Sequence, residues 1–166
     1  MLKVTEAKNL NQNVFSLLSD QWTLIAAGEE GCVNAMTASW GGIGVLFHKN
    51  VATIYVRPQR YTYELLEKYP EFTLSFFDAS YRPQLQLMGS KSGRDTDKIQ
   101  ESGLTVAMEG KTAPYFEEAS LVLVCRKLYY QDLNPENFVD ASLHDFYEKH
   151  DYHRMYIGEI TKVLER

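Results

Sequence analysis

The feature that most constrains this chain is the order of its β-favouring runs. Residues 22–27, 34–40, 43–47, 51–56 and 72–77 follow one another, and residues 104–108, 119–130 and 155–163 come later. They are rich in β-branched, aromatic and aliphatic residues, which suit a pleated surface. Helical spacing is confined to short stretches. One is 14–18. Another is 62–69, where Leu65, Leu66 and Tyr69 repeat at helical intervals and Pro70 closes the segment. A third opens at Ser92, with Asp95 three residues on as a short-acid variant of the capping box, and ends at Gly103. These helices do not alternate with the strands as parallel βαβ units require. The expected fold is therefore mainly β, an antiparallel barrel with small helical decorations.

No repeat, low-complexity tract or Pro/Gly/Ser linker divides the 166 residues, so residues 1–166 read as one domain. With 45% of residues apolar, a core can form, and the composition lacks the signature of disorder. A net charge of −5 disfavours general nucleic-acid binding, which needs a clustered basic surface. The first residues carry no apolar stretch of the signal-peptide kind, and the apolar run 22–27 is too short to cross a bilayer. A cytoplasmic protein without membrane contact is expected. Cys32 and Cys125 lack CxxC spacing and are expected to be buried free thiols.

Three segments could carry chemistry. In Lys91-Ser92-Gly93-Arg94-Asp95-Thr96-Asp97-Lys98, a helix capped by Ser92 would turn free N–H groups outward, with Lys91 before it and Lys98 about two turns in. Such a start suits a phosphate, though an ordinary capped surface helix has the same sequence. In Arg57-Pro58-Gln59-Arg60-Tyr61-Thr62, arginine forks fit phosphate oxygens in pairs, and the plainer reading is a polar loop. In Asn34-Ala35-Met36-Thr37-Ala38-Ser39-Trp40, alternation puts Asn34, Met36, Ala38 and Trp40 on one face and Thr37 and Ser39 on the other. The glycines that follow allow a flat polar ligand near the backbone, and local hydroxyl bonding would explain the pattern equally well. His144, His150 and His153 lie among Asp145, Glu148 and Asp151 without metal-site spacing, so no metal is expected.

Taken together, these segments resemble the flavin reductase-like family of FMN-binding split barrels, which includes the flavoredoxins. Asn34–Trp40 is similar to its N-x-M-T-x-S-W strand, and the Arg60-Tyr61-Thr62 stretch to its Arg-Tyr-Thr helix opening. Ser92-Gly93-Arg94-Asp95-Thr96-Asp97-Lys98 is similar to its S-G-[RK]-D-x-D-K segment, and His153–Ile160 to its H-x-x-[FY]-I-G-E-[VI] strand. The likeness runs from about residue 22 to the carboxyl terminus. It implies a six-stranded split barrel and a homodimer with one FMN per subunit near the interface. It further implies that Asn34, Met36, Thr37, Ala38, Ser39 and Trp40 line the ring and ribityl chain. Arg57, Gln59, Arg60, Tyr61 and Thr62 would reach the ribityl or phosphate end. Lys91, Ser92, Gly93 and Lys98 would add phosphate or ring contacts, from the same or the neighbouring subunit, and His153 and Tyr156 would stand at the reactive face. Arg57 or Lys91 would supply positive charge at the pyrimidine edge of the ring. The sequence departs from the family at 131–152, an acidic loop with Asp151-Tyr152 where relatives carry Gly-Asp.

The expected activity is reduction of the bound FMN by NADH or NADPH, with electrons passed to a flavin, a quinone or another acceptor. One alternative is a carrier working between redox proteins, for which 22 acidic against 17 basic residues would suit a basic partner. Another is a non-redox module that stores FMN or holds haem through His153.

Overall fold

In the computed structural model, which describes residues 1–166, each of the eight expected runs carries a strand, and two unexpected short strands, Lys3–Thr5 and Ala113–Phe116, bring the total to ten. They are β1 (Lys3–Thr5), β2 (Thr23–Glu29), β3 (Cys32–Ala38), β4 (Gly41–Leu46), β5 (Lys49–Val56), β6 (Glu71–Phe76), β7 (Val106–Glu109), β8 (Ala113–Phe116), β9 (Leu121–Asp132) and β10 (Arg154–Glu165). The helices are α1 (Val14–Ser16), which continues as a wider turn to Gln21, α2 (Tyr61–Lys68), α3 (Arg82–Ser90) and α4 (Lys98–Ser102). None is long and apolar enough to cross a membrane. A run of 3-10 turns, Ala141–Tyr147, lies in the long connection from β9 to β10.

Every pairing is antiparallel, and the main sheet runs β3-β2-β6-β9-β10-β5-β4, with β1 beside the end of β10. Its two outermost strands, β3 and β4, are consecutive in sequence and joined by Ser39 and Trp40 alone. The sheet must therefore curl until its edges meet, yet no ladder joins them. That seam is where the barrel is split. β7 and β8 form a separate two-stranded ribbon.

The strand period of two divides the core. Ile25 and Ala27 of β2, Leu74 and Phe76 of β6, and Leu123 and Cys125 of β9 point into the barrel. Their neighbours Leu24, Ala26, Val122 and Val124 point outward, beneath α3 and β8. β2 is thus covered on both faces, which explains its unbroken apolar run. Six strands, β2, β3, β5, β6, β9 and β10, supply the buried barrel interior, in line with the six-stranded expectation; β4 forms the edge beside β5, and β1 lies off this order beside the end of β10. Gly158 is required where β10 bulges against β9, because a Cβ there would stand 2.7 Å from the Phe72 ring.

Two expectations about local structure are corrected. Ser92 does not open a helix. Its carbonyl and hydroxyl accept N–H groups in a turn over 92–96, and α4 starts later, capped by the Asp97 side chain on the Gln100 N–H. Asp97 sits directly before the helix-favouring Lys-Ile-Gln-Glu run, so it is better placed to cap. Gly103 ends α4 in the left-handed conformation, as expected. Of the cysteines, both free, Cys125 is buried but Cys32 only partly so, because Cys32 starts the edge strand β3.

Candidate functional site

The seam opens into a cleft of about 220 Å³, lined by Met36, Thr37 and Ala38 from the end of β3, the Ser39–Trp40 link, Tyr55, Arg57, Arg60 and His153. Each arrives there for a local reason. β3 pairs only with β2, so the other edge of its backbone carries N–H and C=O groups without ladder partners. The strand period brings Tyr55 and Arg57 to one face at the end of β5. Arg60 precedes the first residue of α2, and His153 precedes β10. Thr37 is held by its hydroxyl on the Leu85 carbonyl of α3.

Beside this cleft lies a buried centre of positive charge. Lys98 is only 2% exposed and donates to the Met88 and Lys91 carbonyls at 2.9 and 3.1 Å. Arg60 donates to the Gly89 carbonyl at 3.3 Å, and its Nη2 is buried without a partner. Neither side chain has a carboxylate within ion-pair distance. Burial, with the nearby Arg60 charge, lowers the Lys98 pKa to about 8. Burial also lowers that of Arg60. A buried ammonium beside a part-buried guanidinium whose Nη2 has no partner, neither with a counter-charge, is an unstable arrangement unless an anion joins them. An unpaired guanidinium nitrogen beside an ammonium is the donor set a phosphate takes.

A second cleft of about 400 Å³ adjoins Lys98 and is lined by Asn34, Tyr61, Gly93 and the turn that follows Gly93. Asn34 donates to the buried Thr62 hydroxyl at 2.8 Å, which ties β3 to α2. Gly93 leans on this bond. A Cβ there would stand 2.1 Å from Asn34 Oδ1 and 3.1 Å from the Tyr61 ring. Only glycine lets the 92–96 turn approach β3 this closely.

Other residues expected at the site lie elsewhere. Tyr156 is a correction. It is fully buried in the barrel, and its hydroxyl donates to Glu67 on α2 at 2.6 Å. The cause is strand parity: Tyr156 pairs with the inward Ile54, whereas the cleft residue Tyr55 faces the other way, opposite Met155. The Lys91 ammonium is paired with Glu101 and lines neither cleft of this chain. Ser92 holds its own turn, and Gln59 donates to Asp151 at 2.6 Å. Thr62 is wholly buried beneath Asn34. Of the two charges considered for the ring's edge, Arg57 lines the 220 Å³ cleft and Lys91 does not.

The divergent 131–152 connection covers the mouth of the site. Asp151 pairs with Arg57 at 2.8 Å, and Arg57 also donates to the Phe146 carbonyl at 2.9 Å. Phe146 packs edge-on to Trp40 with ring centres 5.5 Å apart, and Trp40 lies 5.2 Å from the His153 ring. The Tyr147 hydroxyl and His153 Nδ1 share a hydrogen bond of 2.7 Å. Burial, then the Arg57 charge, lowers the His153 pKa to about 4, so at neutral pH the ring is uncharged. His153 is consequently a neutral hydrogen-bonding wall and no reservoir of acidic protons.

Sequence reasoning missed Tyr55, the α3 carbonyls that hold Lys98 and Arg60, and the Phe146, Tyr147 and Asp151 cover. Tyr55 was accessible, since it stands two residues before Arg57. So was α3, from Pro83 in its first turn and Leu85 and Met88 three apart.

Chemically, the site offers an anion seat at one end, a strand edge and aromatic wall at the other, and no acid–base pair poised at neutral pH. Residues 15–166 match the family model described as the flavin reductase like domain. The fold is similar to an FMN-binding domain of a flavin reductases-like enzyme from Shewanella baltica, with a TM-score of 0.72, 18% identity, and 99% of this chain and 77% of that one covered. It is also similar to a flavoredoxin from Methanosarcina acetivorans, with a TM-score of 0.69, 25% identity, and 98% and 76% covered. An NADH:FAD oxidoreductase from Streptomyces globisporus matches with a TM-score of 0.67, 16% identity, and 88% and 75% covered. The chain belongs to the flavin reductase-like domain family.

Proposed function

We propose that this protein binds FMN at the seam and works as an oxidoreductase, oxidising NADH or NADPH and reducing a second substrate. The observation that carries the reading is the pair of buried Lys98 and part-buried Arg60, which has no carboxylate and lies beside a cleft along a free strand edge. A phosphorylated planar cofactor fits those residues. The phosphate would complete the two cations, while the ring would lie along Met36–Trp40 with Arg57 near its polar edge. The chemistry FMN supplies when bound is two-electron redox transfer.

The protein's own part is binding and electrostatics. Arg60 and Lys98 hold the anionic end, and Gly93 lets the 92–96 turn close on β3. Arg57, kept in place by Asp151 and the Phe146 carbonyl, sets a positive charge near the ring and favours negative charge developing there. His153, held by Tyr147, and Trp40, packed edge-on by Phe146, wall that side of the site.

A homodimer is part of the proposal. β4 is an edge strand, and the exposed Val45 and Phe47 at its hairpin give a second copy an apolar surface. A cytoplasmic location belongs to the same proposal, and Cys32 and Cys125, which form no disulfide with each other, are compatible with it. A carrier between redox proteins is the second reading, favoured by the exposed aromatic edges of Trp40 and Phe146 at the site mouth.

The test is reconstitution with FMN, the visible spectrum, and then addition of NADH and NADPH with a common acceptor. Flavin bands with steady loss of reduced nicotinamide support the enzyme. Flavin bands without nicotinamide turnover favour the carrier. Protein that takes up no FMN refutes both.

A further inference from the structure

Trp40 has a second side. Beyond it lies a groove of about 940 Å³ between α1, the glycines at the start of β4, and the 133–147 cover. It shares Ser39, Trp40 and Tyr55 with the 220 Å³ cleft, so the two spaces adjoin across these residues. Their chemistry is opposite. The cleft holds Arg57, Arg60 and His153, whereas no Asp, Glu, Lys, Arg or His lines the groove. The groove wall is built from Phe15, Trp40, Ile43, Phe138, Leu143 and Phe146.

We infer that this groove is the site of the second substrate, an uncharged planar aromatic acceptor of the quinone class. The inference rests on the FMN reading for its redox role, but binding in the groove does not. The volume lies within the range of small-molecule sites, which are mostly apolar with a few polar groups. Aromatic walls suit an aromatic guest. Ser39 and Tyr55 bring hydroxyl groups to the junction, where a carbonyl oxygen at the guest's edge can accept a hydrogen bond. A charged group has no partner inside the groove and would lose its hydration without compensation. The same argument directs a dinucleotide, with its pyrophosphate, away from this space. Reduction of a quinone there consumes one NAD(P)H and one proton, and yields the hydroquinone and NAD(P)⁺.

The test is calorimetric titration of the FMN-free and FMN-loaded protein with menadione, and with 1,4-naphthoquinone-2-sulfonate as a charged probe of similar size. Phe15→Glu and Leu143→Glu are measured beside the unaltered chain. Phe15 is 84% exposed, so its replacement tests the groove without disturbing the core. Menadione should bind both forms of the protein, and the sulfonate at least about tenfold more weakly. Each variant should weaken menadione by about tenfold or more while leaving the FMN dissociation constant within about twofold. Equal binding of the two probes, or variants that bind menadione unchanged, would overturn the inference. Sedimentation supplies a separate arm: if either variant converts a dimer to monomer, a second copy fills the groove and the inference falls. Menadione binding in protein that takes up no FMN would support the groove while refuting the proposed cofactor.

Discussion

Lys98 is a buried ammonium whose pKa is lowered to about 8 from an ordinary 10.5, first by burial and then by Arg60. A phosphate between the two cations would reverse the Coulombic cause and return Lys98 towards its ordinary value. Anion binding and proton binding are then linked, and FMN affinity must fall as pH rises through 8. At about pH 7 roughly nine-tenths of the free protein carries the charged lysine, and at about pH 9 roughly one-tenth does. With the bound pKa near its ordinary value, the dissociation constant should rise about tenfold between those conditions, or about 1.4 kcal/mol. Fluorescence titration of FMN at several pH values measures this. In Lys98→Met the affinity should be lower throughout and flat over the same range. A flat wild-type profile, or an equal fall in Lys98→Met, would refute the assignment of the phosphate to this lysine.

Other consequences follow from the same geometry. The His153 pKa of about 4 lies below the ordinary 6.5, so the unfolded chain binds the extra proton and stability falls as pH drops from about 6.5 to 4. At about pH 5 this linkage costs roughly 2 kcal/mol, and urea unfolding of His153→Gln should lack that part of the acid sensitivity. Gly93→Ala drives a Cβ into Asn34, and should weaken FMN at least about tenfold while lowering stability by about 1–3 kcal/mol. Unchanged FMN affinity in that variant would remove the 92–96 turn from the site. Tyr156→Phe removes a hydroxyl from Glu67 in the barrel; it should cost about 1 kcal/mol in urea unfolding and leave FMN affinity within about twofold.

Much of this was legible because strand period and turn chemistry are local. Continuous burial of β2, the helix before Pro70 and the stop at Gly103 all follow from residues close in sequence. The misplaced cap shows the limit of such signals: Ser92 and Asp97 both fit an N-cap, and the neighbouring residues decided for Asp97. Tyr156 shows another. Its motif neighbour His153 lies before the strand, whereas Tyr156 lies within it, and only the pairing register tells which face it takes. The Arg60–Lys98 pairing joins residues from two elements through carbonyls of a third, so no spacing rule reveals it. The cover from 133 to 152 was invisible for the same reason. Asp151 meets Arg57 and Gln59 across the barrel mouth, about a hundred positions away in sequence.

The central claim is that Arg60 and Lys98 hold the phosphate of FMN, and the most direct measurement compares FMN with riboflavin, which has the same ring and no phosphate. Loss of two charge-assisted contacts should weaken riboflavin by about a hundredfold or more, and Arg60→Ala with Lys98→Met should bring the two ligands close together. Equal affinity for FMN and riboflavin in the unaltered protein would contradict the account.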